Sequence, residues 1–331
     1  MRRRAGWSRA EVLVVLALAV LVAGLIVGTI GRIRAEADGV KCRNNLKQLG
    51  LGVHSYYSTL NRLPPLTDQG DRTPTGQGLL SVLANLVPYI EAGPNYFSPG
   101  VSPPGDYQAH SSVVFTYHGK FGDRTWTEDG GLANRSWRVF VDPADDTADK
   151  LRDVPMTLPD GTIGYYATGS YAANGLAPWG VRQPGRAFPG GLTNTILIGE
   201  RPQVCRTASG EEVYNLWGLG IYSPQMPAFA ALTPTDPPGL LSTGQVAPVE
   251  PLPDETAEIR VRIGRRDAEP GPPDFGHPIQ RTRGGRPCDP RLPGTPHRGG
   301  MQVLMADASV RVFGPDTSPW VFWSACVPGT E

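Results

Sequence analysis

A single carboxylate, Glu11, stands at the entrance to nineteen consecutive uncharged residues, Val12–Ile30, and Arg2, Arg3 and Arg4 precede it. As a helix rising about 1.5 Å per residue the run measures roughly 28 Å, against a bilayer hydrocarbon thickness of about 30 Å. These residues therefore belong in lipid or need an apolar partner on every side. A secretory signal peptide is the competing reading. Its apolar core is about 7–15 residues and ends at a small-residue cleavage site, whereas this run passes directly into Arg32-Ile33-Arg34-Ala35-Glu36. Arg32, Arg34, Lys41, Arg43 and Lys47 follow the span, so the charge rule alone leaves orientation open.

Beyond the span the helical pattern continues. Leu46, Leu49, Val53, Tyr56 or Tyr57, and Leu60 recur at three- and four-residue steps between polar residues, an amphipathic stripe that needs a partner surface. Leu63-Pro64-Pro65 marks its end, because proline lacks the amide donor and pushes its predecessor out of the helical region. The spacing predicts one helix of about 80 Å from Trp7 to about Leu60. Gly39, Gly50 and Gly52 each cost it about 1 kcal/mol relative to alanine and are candidate bends.

The leader ending in Gly6, the aromatic Trp7, and Glu11 as the fifth residue after that glycine resemble the processing segment of type IV pilins and type II secretion pseudopilins. The resemblance implies cleavage after Gly6 by a prepilin peptidase, methylation of the new amino group of Trp7, and pairing of Glu11 with a neighbouring subunit's amino terminus during assembly. A carboxylate in lipid costs several kcal/mol, and a cationic amine is a partner that offsets it. The sequence departs from the usual pattern at Trp7, Arg9 and Ala10. An uncleaved signal anchor with Glu11 reaching to the headgroups is the plainer reading.

Further segments narrow the resemblance. Cys42 to Gly50, His54 to Tyr57, Leu63-Pro64-Pro65, Val87 to Glu91, Ser170 to Gly175, Thr193 to Glu200, and His297 to Gly300 followed by Asp307-Ala308-Ser309 are similar to the domain of unknown function 1559 (DUF1559) family of pilin-like bacterial proteins. The ending matches the family's H-x9-DG signature with Ala308 in place of glycine. The resemblance covers nearly the whole chain and implies architecture and location rather than a reaction. A family cysteine is replaced here by Asp142, so any bridge made by that cysteine is absent.

Composition fits an exported head. The chain has 331 residues, a formal net charge of zero, 41 glycines, 34 prolines and a 40% hydrophobic fraction; that fraction supports a core. Neutrality argues against nucleic acid as a partner. The expected organisation is a leader at 1–6, a transmembrane part of the helix at 7–31, its amphipathic continuation at 32–62, and a head at 63–331 with a proline-rich excursion over about 222–296. The fold class expected is α+β, a long N-terminal helix packed on an antiparallel β-sheet. Ser112–Tyr117, Arg138–Val141, Thr195–Ile198 and Val213–Trp217 read as strands. Met301–Ala306 and Ser309–Val312-Phe313 read as a hairpin with a two-residue turn at Asp307-Ala308. Cys42, Cys205, Cys288 and Cys326 allow three pairings, of which Cys205–Cys288 is favoured because it would pin the proline-rich excursion.

The chemistry-bearing candidates are few. His297 and Asp307 form a signature pair expected to be structural, with Asp307 capping its own turn amides. Asp142, Asp145, Asp146 and Asp149 make an acidic loop with the oxygen donors calcium prefers. The twelve-residue glycine-centred loop is absent, so a solvated loop without cofactor is the main expectation and calcium the alternative. No G-x-S-x-G, H-E-x-x-H, phosphate-binding glycine loop or C-x-x-C is present, and a non-enzymatic role is expected. The function expected is a structural subunit in a bacterial inner membrane, with its short N-terminus cytoplasmic and its head exported. Its expected partners are a prepilin peptidase, itself or other pilin-like subunits, and the lipid bilayer. The alternative is a tethered binding module for glycan or peptide, with Trp126, Trp137, Trp179, Trp217, Trp320 and Trp323 as candidate stacking surfaces.

Overall fold

The computed structural model describes residues 9–68, 80–90, 119–121, 124–126, 134–147, 154–157, 163–182, 187–220, 223–230, 279–282 and 286–328. The architecture is α+β. One 52-residue helix, α1 (Arg9–Leu60), leads into a head whose central sheet has five strands. In chain order the short elements are β1 (Thr67–Asp68), β2 (Leu80–Ser81), α2 (Val82–Leu86), β3 (Gly119–Phe121), β4 (Arg124–Trp126), β5 (Val154–Thr157) and β6 (Ile163–Tyr166). They are followed by β7 (Tyr171–Asn174), β8 (Ile196–Glu200), β9 (Val204–Arg206), β10 (Glu212–Tyr214), β11 (Ala228–Phe229), β12 (Gln280–Arg281) and β13 (Gly294–Thr295). The chain closes with β14 (Met301–Met305), β15 (Val310–Phe313) and α3 (Pro319–Cys326). The central sheet runs β11-β7-β8-β14-β15. All its neighbours are antiparallel except β11, which adds to β7 in parallel.

Both faces of this sheet are covered, which is why β8 and β14 are buried along their whole length and read as nearly unbroken apolar runs rather than alternating ones. One face takes α1 and α2; Tyr171, Ala173, Ile198 and Leu304 meet Leu46, Leu49, Val53 and Tyr56 there. The opposite face takes α3, with Ala172, Ile196, Met301, Val303 and Met305 packed against Phe322, Trp323 and Cys326.

The seam of α1 follows the helical period closely: Cys42, Leu46, Leu49, Val53 and Tyr56 are buried. Tyr56 is the inward tyrosine and makes an edge contact with Tyr89 at 5.1 Å. Leu60 and His54 point outward, so the stripe ends one turn earlier than the sequence suggests. The glycines do not interrupt the helix. A Cβ at Gly50 would lie 2.7 Å from Leu304 Cδ1 and 3.0 Å from Ala308 Cβ, and one at Gly52 would lie 2.7 Å from Ile90 Cγ2. Both positions let backbone approach the head where a side chain would not fit. Helix termination also differs from expectation. Asn61 adopts φ 52 and donates its amide to Tyr57 O at 2.8 Å, a left-handed cap placed before the prolines.

Three sequence expectations change. Arg138–Phe140 is a 3₁₀ turn, not a strand; a short apolar run does not by itself distinguish the two. The β14–β15 connection is a three-residue loop, Ala306-Asp307-Ala308, because Met305 N bonds Ser309 O at 2.8 Å and Ala308 N bonds Met305 O at 3.0 Å. Ala308 takes φ 63, the left-handed position such loops require and where glycine is usual. Parts of the proline-rich excursion are also built into the head. β11 joins the central sheet and β12 pairs with β13. The fully buried Arg201 guanidinium donates to Met226 O, Pro224 O and, at 2.9 Å, Ala228 O. Ser112–Tyr117 lies outside the described residues.

Gly50→Val is expected to crowd Leu304 and Ala308 and to lower head stability by about 1–3 kcal/mol, read as a lower midpoint in chemical denaturation of the full chain. An unchanged midpoint would contradict the close approach of α1 to the hairpin.

Candidate functional site

Four ionisable side chains from four separate segments meet where α1 crosses the end of β8. Cys42 comes from the α1 seam, Asp142 from the segment after the 3₁₀ turn, Glu200 from the last position of β8, and His297 from the loop before β14. One ligand atom from each lies within 4.8 Å of all the others. The Cys42 thiol donates to Glu200 Oε1 at 2.9 Å, and His297 Nε2 stands 2.9 Å from Asp142 Oδ2 and 3.5 Å from Glu200 Oε1. Cys42, Asp142 and Glu200 are buried, and only the His297 side chain retains some exposure, 11%.

Each segment is held by its surroundings. Asn45, three residues beyond Cys42 and so on the same side of α1, donates from Nδ2 to Arg138 O at 3.2 Å, Val141 O at 3.0 Å and Tyr171 Oη at 3.3 Å. This fixes the Asp142 segment against α1. Asp142 Oδ1 accepts from Ala144 N at 2.8 Å, leaving Oδ2 for His297. His297 N donates to Thr295 Oγ1 at 3.0 Å, and Gln302 Nε2 donates to Gly39 O at 2.9 Å, which ties β14 to the helix beside the cluster. The His297 side also lines a cavity of about 200 Å³ together with Ile279, Arg281, Thr295, Gly300 and Pro315.

Burial governs the electrostatics. It pushes the Glu200 carboxyl up to about 8, reinforced by the negative charge of Asp142 and opposed by His297. Burial also pushes the Cys42 thiol far up, with the charges of Glu200 and Asp142 acting in the same direction. For His297, burial favours the neutral ring, but the Asp142 hydrogen bond and the nearby carboxylates outweigh it and raise the pKa. Burial and the hydrogen bonds thus favour the protonated forms of Cys42 and Glu200, and the Asp142 contact favours the charged ring of His297.

The sequence candidates separate in space. Asp307 accepts from Ser309 N at 2.9 Å within its own loop, while His297 faces Asp142 and Glu200, so the signature residues do not form a pair. Asp142 and Asp145 serve different partners. Asp145 accepts from Thr147 N, Thr147 Oγ1, Ser170 Oγ and Gln203 N, at 2.6–3.1 Å, which uses both oxygens in bracing the head. Asp146 lines a separate cleft with Arg206 and Glu212. Among the described residues, the three aspartates do not form a ligand group; Asp142 alone joins one. Cys205 and Cys288 are joined by a disulfide, and Cys42 and Cys326 are free buried thiols. Trp179, Trp217 and Trp323 are buried, with Trp217 stacked on Phe140 at 4.7 Å. Trp320 is exposed on α3. Glu11 lies on the exposed apolar end of α1, and Gly6, Trp7 and Asp149 fall outside the described residues.

Cys42 and Glu200 were absent from the sequence candidates. A signal for each was present: Cys42 extends the buried stripe back by one turn from Leu46, and Glu200 closes an otherwise apolar strand.

A pH dependence follows. The folded chain holds the Glu200 proton more tightly than the unfolded chain does. The stability this contributes is complete below the ordinary carboxylate range, about 4.3, and is lost as pH rises through about 8. His297, also raised, adds loss of the same sign above its ordinary range. In chelator-containing buffer the melting temperature should fall between pH 5 and 9, and Glu200→Gln should flatten that fall. Parallel curves for the two proteins would refute the buried, protonated carboxyl.

A family model described as a protein of unknown function, DUF1559, matches residues 32–317. No curated protein and no solved structure matches the chain.

Proposed function

The chain belongs to the DUF1559 family, and from that premise we propose that it is a pilin-like, membrane-anchored structural subunit rather than an enzyme. The observation that carries this reading is the division of α1 into two halves with different solvents. Its first half is long and apolar enough to cross a membrane, and no part of that apolar window is buried by the head. Its second half is clamped to the sheet through Cys42, Leu46, Leu49, Val53 and Tyr56. A bilayer or the helices of neighbouring subunits would cover the apolar half, and a filament supplies both in turn.

Under this reading a prepilin peptidase cuts after Gly6 and methylates Trp7. The helix resides in a bacterial inner membrane with its short N-terminus cytoplasmic and its head exported. Glu11 then pairs with the amino terminus of the next subunit, since a carboxylate carried into an apolar bundle needs a cation beside it. Val40 and Leu51, exposed on the side of α1 turned away from the head, offer further apolar contact to a neighbour. The Cys205–Cys288 bridge suits an oxidising compartment. The binding-module reading has less support, because three of its candidate tryptophans are consumed by the core.

Mass spectrometry of the purified protein is expected to find N-methylated Trp7 as the first residue; a chain starting at Met1 or Arg2 would refute processing. Glu11→Ala should insert into the membrane in normal amounts and fail to enter filaments. Filament incorporation equal to the parent would remove the pairing role.

A further inference from the structure

We propose that Cys42, Asp142, Glu200 and His297 bind one divalent transition-metal ion of the zinc class, tying the long helix to the head. The inference stands on the geometry of these four residues and is independent of the filament reading.

The donor set is one sulfur, one imidazole nitrogen and two carboxylates, with one ligand atom of each within 4.8 Å of the rest. Zinc–ligand bonds of about 2.0–2.3 Å in a tetrahedron place ligands roughly 3.3–3.8 Å apart. The 3.5 Å separation of His297 from Glu200 lies in that range, whereas the 2.9 Å separations of Cys42–Glu200 and His297–Asp142 are hydrogen-bond distances below it. Admitting an ion replaces these two hydrogen bonds by metal bonds and moves their partners apart. Sulfur and imidazole select zinc-like cations over calcium or magnesium, which prefer six or more oxygen ligands.

A second observation points the same way. Glu200 Oε2 is fully buried and has no partner of full hydrogen-bond geometry, the Thr295 side chain lying near the same carboxylate, whereas a buried polar atom normally has a partner. It belongs to the same carboxylate whose Oε1 faces Cys42 and His297. Asp142 and Glu200 also bring two acidic groups into one enclosed space, where a divalent cation offsets their mutual repulsion. The outer shell is in place: Ala144 N orients Asp142, Asn45 holds the Asp142 segment on α1, and Thr295 Oγ1 holds the His297 loop. The cavity beside His297 supplies a route from solvent.

Binding replaces the Cys42 S–H bond by a sulfur–metal bond. The thiol proton leaves to solvent, together with any proton on His297 Nε2 or the Glu200 carboxyl. No oxidation or reduction takes place.

The test uses the full chain in detergent, stripped with chelator and then dialysed. Zinc titrated calorimetrically should bind one ion per chain, and millimolar calcium should not displace it. Cobalt should give the visible bands of a tetrahedral site plus a near-ultraviolet thiolate charge-transfer band. Cys42→Ser should remove the charge-transfer band, and Cys42→Ser or His297→Ala should weaken zinc binding on the order of 100-fold or more. Cys326→Ser, which alters the other free thiol, should change neither. The proposal fails if the parent chain binds no stoichiometric zinc, if its cobalt spectrum lacks the thiolate band, or if folded Cys42→Ser or His297→Ala binds zinc as tightly as the parent. The cobalt spectrum of the parent decides the matter even if a variant does not fold.

Discussion

The apolar seam of α1 is the contact on which the head is organised. Leu46, Leu49, Val53 and Tyr56 cover one face of the central sheet, and without them Ile198, Leu304 and Ala173 would face water. At about 25 cal/mol per Å² of apolar surface, such a seam outweighs the loss of helix propensity at Gly50 and Gly52. Those two glycines set how close the rod lies to the hairpin and to the turn at Ile90. The opposite face, closed by α3, completes a core layered as helix, sheet and short helix.

Placing Cys42 at the N-terminal end of that seam explains the polar cluster. The seam runs out where β8 ends, so the final residue of the strand, Glu200, emerges under the helix rather than into solvent. Asp142 arrives from a segment pinned to α1 and His297 from a loop bonded to Thr295 of β13, while Gln302 ties β14 to α1. Three groups that individually prefer water, Asp142, Glu200 and His297, are thus enclosed with the Cys42 thiol, each serving as part of another's solvation. A cluster of this kind makes the junction specific: a register slip of α1 by one residue would carry Cys42 away from Glu200 and expose the apolar seam together.

Much of the scaffold was legible in the sequence because helical periodicity is local. The stripe from Leu46 to Tyr56, the apolar run before it, and the β14–β15 hairpin all declare themselves over spans of ten to twenty residues. The errors arose where local patterns are degenerate. Arg138–Phe140 is too short to separate a turn from a strand, and the left-handed Ala308 converts an apparent two-residue turn into three. The cluster was illegible for another reason. Nearness in sequence pairs His297 with Asp307 and Asp142 with Asp145, whereas His297 and Asp142 face each other across 155 residues, beside Glu200. Glu200, alone at the end of an apolar strand, was the residue whose charge most needed explaining.

The ties around the proline-rich excursion have a consequence for how this chain can vary. At the start of the excursion, Arg201 grips the carbonyls of Pro224, Met226 and Ala228. Toward its end, β12 pairs with β13, and Cys288 is bridged to Cys205 across 83 residues. These anchors hold the two margins of the excursion to the head. Doubling the length of such a loop costs only about 0.6 kcal/mol of closure entropy. The length of chain that joins the two sets of anchors is therefore a weak constraint on the sheet, the helix seam and the buried cluster, whose geometry is held by contacts at the margins.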